Sequence, residues 1–100
     1  MKVICKYESF NKRRYGNPWV AIVDKTTGKP DFSQRVGGYT GVYGGGEAGE
    51  LYVTDPKEFD VYMYGQKDYR GNNTERHYVQ YVSGQFREIS PDKLIETLSE

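Results

Sequence analysis

The string Gln66-Lys67-Asp68-Tyr69-Arg70-Gly71-Asn72-Asn73-Thr74-Glu75-Arg76 packs amides, three cations and an aromatic ring into one short stretch. Such groups grip phosphates, nucleotides or polar protein surfaces, because charge-assisted hydrogen bonds are the strong ones. Gly71 reaches positive φ freely, and Asn72 and Asn73 tolerate the left-handed region. The same string therefore also reads as an ordered turn in which Asp68, Asn72 and Thr74 cap backbone amides, and the two readings can coexist. A second cationic group, Lys12-Arg13-Arg14-Tyr15, sets a ring beside guanidinium groups. That pairing suits stacking on a base or on a partner's aromatic ring, with a solvated turn as the competing reading. Tyr62 and Tyr64 alternate with Phe59, Val61 and Met63. If the latter three face the core, the two tyrosines line the opposite face next to residues 66–76. Tyrosine gives large contact area at low entropic cost. The candidate binding residues are thus Arg13, Arg14, Tyr15, Tyr62, Tyr64, Gln66, Lys67, Tyr69, Arg70, Asn72 and Asn73.

Other chemistry finds less support. Gly44-Gly45-Gly46-Glu47-Ala48-Gly49 matches G-x-G-x-x-G, but a dinucleotide fingerprint must open a helix whose N-terminus holds the pyrophosphate. Here Glu50-Leu51-Tyr52-Val53-Thr54 follows, which reads as strand, and Glu47 and Glu50 repel phosphate. His77, the single histidine, and Cys5, the single cysteine, make a nucleophile–base pair only if the fold joins them. Asp55 with Glu58, or Glu47 with Glu50, could do general acid–base work only in a cleft that separates their pKa values. There is no histidine cluster and no calcium-loop spacing. The expectation is no enzyme, no catalytic residue, no metal and no cofactor.

The elements that position these residues are short strands. Residues 2–7 alternate with Val3, Cys5 and Tyr7 on one face, the period of a half-buried strand. Residues 19–23 form an unbroken apolar run rich in β-branched side chains, which suits a central strand. Residues 32–36 read as a short strand, and residues 50–54 as another. Residues 37–49 hold seven of the twelve glycines and read as a loop or bulged hairpin. Residues 59–64 read as a two-faced strand and residues 65–76 as a long polar loop. Residues 77–82 and 85–89 flank Ser83-Gly84, a two-residue hairpin turn. Ser90, Pro91 and Asp92 open a short helix over 91–98, with Leu94, Ile95 and Leu98 as its apolar stripe. The expected fold is mainly β, a compact antiparallel sheet forming a small partly open barrel or sandwich, with a short C-terminal helix packed on it.

One hundred residues suit a single domain spanning 1–100. Fourteen basic and fourteen acidic residues cancel, so no cationic coat is expected from bulk charge. The charges are segregated along the chain. Residues 1–35 carry eight basic and three acidic, net +5, and residues 36–66 one basic and five acidic, net −4. Residues 67–87 carry four and two, net +2, and residues 88–100 one and four, net −3. No apolar run approaches the ~20 residues of a membrane span. The polar, basic residues 1–15 do not read as a signal peptide, and one cysteine allows no intrachain disulfide. A cytoplasmic location is the expectation.

The strings Arg14-Tyr15-Gly16-Asn17-Pro18-Trp19-Val20-Ala21, Gly37-Gly38-Tyr39 and Gly65-Gln66-Lys67-Asp68-Tyr69-Arg70-Gly71-Asn72-Asn73-Thr74-Glu75 resemble a group of short uncharacterised proteins of Gram-positive bacteria and their phages. The resemblance covers roughly residues 2–90. It implies a bacterial or prophage cytoplasmic protein and draws attention to segments 14–21 and 65–75. Small phage proteins often act by binding host machinery, defence systems included. The expected function is a non-enzymatic binding module, with a phage-encoded inhibitor of a host defence protein as its leading form. The alternative is a binder of a nucleotide or single-stranded nucleic acid. A host protein is the expected partner, with no membrane involved.

Overall fold

The apolar run at 19–23, set between turn formers on either side, forms a strand beside the middle of the larger of two sheets. The computed structural model describes residues 3–7, 17–40, 49–67 and 73–99. Among these, the strands are β1 (Val3–Tyr7), β2 (Asn17–Val23), β3 (Pro30–Asp31), β4 (Gly37–Thr40), β5 (Gly49–Val53), β6 (Val61–Lys67), β7 (Asn73–Val82) and β8 (Gln85–Ile89). A 3-10 turn at Pro91–Lys93 leads into one short helix, α1 (Leu94–Leu98). The strands form two antiparallel sheets, ordered β1-β5-β4 and β3-β2-β6-β7-β8. Neither sheet closes into a barrel, so the expected mainly-β, partly open architecture with a C-terminal helix is what forms.

β6 lies at the middle of the larger sheet and is covered on both faces. Tyr62 and Tyr64 join Val79 of β7 against Leu51 and Val53 of β5, forming the core between the sheets. On the opposite face Val23, Val61 and Met63 pack under Leu94 of α1, with Trp19, Tyr78, Ile89 and Leu98 around them. Burial of these apolar side chains is the dominant favourable contribution to folding. Trp19, the first residue of the apolar run, is half-buried. Its indole lies opposite Gly65 in the ladder and meets the exposed ring of Phe32 edge-on, with centroids 5.1 Å apart.

Several local expectations are corrected. The strand read from residue 59 starts at Val61, and Phe59 leaves the face of Val61 and Met63 with φ 68°. Residues 32–36 are a turn rather than a strand. Asp31 accepts hydrogen bonds from the Ser33 N–H at 2.9 Å and Gln34 Nε2 at 3.0 Å, a side-chain substitute for strand pairing. The Ser33 hydroxyl and N–H, with Gln34, hold the Asp31 carboxyl below its ordinary pKa. Within 37–49, Gly37–Thr40 and Gly49 are strand rather than loop. A Cβ on Gly37 would sit 1.9 Å from the Tyr52 carbonyl oxygen, so the glycine permits a close approach of β4 to β5. Similarly, Gly65, Gln66 and Lys67 belong to β6 and residues 73–76 to β7, which shortens the expected 65–76 loop.

The β7–β8 hairpin forms as read, with Ser83 at φ 53° and Gly84 at φ 78°, the positive pair that a two-residue turn of the primed type needs. Ser90 stands at the helix entry, yet its side chain makes no cap. Its carbonyl accepts the Lys93 N–H at 3.0 Å instead. No helix among the described residues is long and apolar enough to cross a membrane.

Candidate functional site

Three strands position the first candidate region. The ladder pairs Asn17 of β2 with Lys67 of β6, and Lys67 with Asn73 of β7. Adjacent strands lie about 4.8 Å apart, so the start of β2, the end of β6 and the start of β7 share an edge about 10 Å wide. The chain enters this edge directly after Lys12-Arg13-Arg14-Tyr15 and leaves and re-enters it on either side of residues 68–72. The two basic segments of the sequence therefore connect to one end of one sheet. A register shift between Gln66 and Lys67 marks an irregularity in the ladder at this end. Residues 12–14 and 67–76 contribute six basic and two acidic residues, net +4. Of the sequence-derived site residues, Gln66, Lys67 and Asn73 are in strand at this end. Arg13, Arg14, Tyr15, Tyr69, Arg70 and Asn72 lie outside the described residues.

The open aromatic face expected from Tyr62 and Tyr64 is corrected. Their rings are only 2% and 5% exposed, because the face opposite Met63 is covered by the second sheet rather than by solvent. Burial pushes the Tyr62 phenol above its ordinary pKa, and the Asp60 and Tyr81 charges add to that, opposed by a backbone hydrogen bond from Lys57. Tyr64 stacks on His77 with centroids 5.0 Å apart, and His77 Nδ1 lies 3.7 Å from Glu88 Oε1. Cys5 belongs to β1 of the smaller sheet and His77 to β7 of the larger one. Among the described residues, no group of three or more His, Cys, Asp or Glu could hold a metal ion.

A second region escaped the sequence reading. Gln80 of β7 is 4% exposed and lies in the ladder between Val61 and Arg87, on the face that α1 covers. Its Nε2 donates to the Phe59 carbonyl at 3.3 Å, and its Oε1 accepts from the Arg87 guanidinium at 3.2 Å. Two hollows meet at Gln80 and Thr97, between α1 and the β7–β8 hairpin. One, about 370 Å³, is lined by Lys25, Glu58, Phe59 and Leu98 besides these two. The other, about 580 Å³, is lined by Arg87, Lys93, Glu88 and Glu96 among others. In the first, Lys25 pairs with Asp60 at 3.5 Å, and Glu58 accepts the Ser83 N–H at 2.7 Å. The available signal was Gln80 itself, the one amide in the otherwise apolar run Tyr78-Val79-Gln80-Tyr81-Val82. Set beside known proteins, the chain matches no family model, no curated protein and no solved structure.

Proposed function

We propose that this protein is a non-enzymatic binding module that contacts its partner through the basic end of the larger sheet. The partner is a host protein met in the cytoplasm, in the manner of a phage-encoded inhibitor of a defence component. The observation that supports this reading is the pairing of Asn17, Lys67 and Asn73 across three adjacent strands, so that β2 begins, β6 ends and β7 begins at the same end of the sheet. Connections carried on a rigid sheet are common recognition sites, because the scaffold holds them without contributing their side chains to the core. The test is affinity capture from host lysate with the wild type and with the triple variant Lys67→Ala, Tyr69→Ala, Arg70→Ala. The expected result is loss of the captured partner with an unchanged melting temperature. Undiminished capture would reject this edge as the contact region. The net +4 of the two segments favours a second reading, a nucleotide or single-stranded nucleic acid as ligand. Titration against labelled single strands at low salt separates the two, since protein-partner contact predicts no binding there.

A further inference from the structure

We propose that the groove between α1 and the β7–β8 hairpin is a second binding site, for a carboxylate carried beside an aromatic or branched apolar group. A free organic acid and the C-terminus of a peptide ending in an apolar residue share that chemistry. Gln80 is the starting point. An amide buried in an apolar face is unfavourable unless its hydrogen bonds are made, and an aliphatic side chain would fill the same space without that requirement. Here the amide has two specific bonds, and each reaches a group at the rim of the groove. One bond holds the Phe59 carbonyl and the other orients the Arg87 guanidinium.

Phe59 supplies the second observation. Its φ of 68° is a conformation that glycine or asparagine adopts with far less strain than an aromatic residue. Hydrogen bonds impose that conformation: the Phe59 N–H donates to the Tyr81 carbonyl at 2.7 Å, and the Tyr81 N–H donates to the Asp60 carbonyl at 3.0 Å. The strained backbone leaves the ring 59% exposed. Backbone strain of this kind clusters at ligand-binding positions, which agrees with a role for the Phe59 ring in the groove.

The ligand class follows from the lining. Phe59, Leu98 and the aliphatic stem of Lys25 offer an apolar bed, since the Lys25 ammonium is turned to Asp60. Arg87 uses one donor on Gln80, and its fork matches a carboxylate in two-point geometry. Among the described residues, no ion pair engages Arg87 or Lys93. Glu96 offsets one of those two cations, while the Glu88 carboxylate is turned to His77 on the other face of β8, so the site suits a single negative charge and disfavours a phosphate dianion. A volume of about 370 Å³ falls in the range of small-ligand pockets.

The test titrates the full chain with N-acetyl-phenylalanine, its amide, a hexapeptide ending in phenylalanine, and that peptide's C-terminal amide. Binding is followed by the NMR shifts of the Gln80 side-chain NH2 and the Phe59 N–H. The expected result is saturable binding of the acids, with the amides about tenfold weaker. Arg87→Gln should abolish the difference between acid and amide. Phe59→Gly should weaken all four while keeping or raising the melting temperature, because glycine relieves the strain. A peptide acid that binds more tightly than the free acid assigns the ligand to a chain terminus, and the reverse order assigns it to a small acid. Equal binding of acid and amide, shifts confined to other residues, or no saturation up to about 10 mM would overturn the proposal.

Discussion

Tyr62 shows at the residue scale how far a side chain's type is from its role. Its hydroxyl made an outward, contact-making position plausible, and its place in an alternating run was correctly read as strand. Which face meets solvent depends on where the second sheet lands, and that is tertiary information. The ring lies instead between β6 and β5, edge-on to Phe86 at 6.1 Å. Tyr62→Ala should cost about 3–5 kcal/mol, measured by denaturant unfolding. Its titration gives a second expectation. Burial raises the folded-state pKa of the phenol above the unfolded value. The associated stability is fully present below the ordinary tyrosine pKa of about 10 and is lost as pH rises through the raised value. Unfolding midpoints followed over alkaline pH should fall for the wild type, and Tyr62→Phe should flatten that part of the decline. An equal decline in both proteins would assign the alkaline loss to other groups.

Elements divide into those fixed by local chemistry and those fixed by a distant neighbour. The β7–β8 turn is local: Ser83 and Gly84 both take positive φ, and the dipeptide alone announced it. A Cβ on Gly84 would meet nothing within 4 Å, so Gly84→Ala isolates the conformational cost, about 1–2 kcal/mol. Ser83→Asn should stabilise the hairpin slightly, because Asn-Gly is the preferred pair for this turn. Thermal melts of the two variants should move in opposite directions. β4 is the other kind. Its glycines read as loop, since nothing near them in sequence reveals that the Tyr52 carbonyl comes within a methyl group's space of Gly37. The C-terminal helix lies between these cases. Ser90-Pro91-Asp92 marked its start, but five residues make an isolated helix unstable, so it depends on Leu94 against Val23, Val61 and Met63. Leu94→Ala should therefore cost about 2–5 kcal/mol and lower the cooperativity of the melt.

Across the whole molecule, neutral total charge conceals a separation of charge along the chain. The basic segments join the sheet at Asn17, Lys67 and Asn73, whereas Gln80 sits seven residues further along β7 from Asn73, with Arg87 beside it on β8. At about 3.4 Å per residue that is about 24 Å, beyond the ~8 Å screening length at physiological salt. Segregation of charge was legible in the sequence; that β2 begins where β6 ends and β7 starts was not, because it depends on β2 and β7 both flanking β6. The distance makes the two proposed contacts thermodynamically separable. If single-stranded nucleic acid occupies the basic edge, its affinity should fall steeply with salt. Removing Lys67 and Arg70 should then reduce the logarithmic slope by about 1.4, at roughly 0.7 per phosphate contact. Arg87→Gln should leave that slope unchanged and alter only carboxylate binding. For any ligand of the edge, the effects of Arg87→Gln and of the Lys67, Tyr69, Arg70 triple variant should add within about 0.5 kcal/mol, as expected for sites more than ~10 Å apart. Isothermal titrations of the wild type, each variant and the combination measure this. A larger coupling energy would mean that one ligand spans β7 from Asn73 to Gln80, and that the edge and the groove are parts of a single surface.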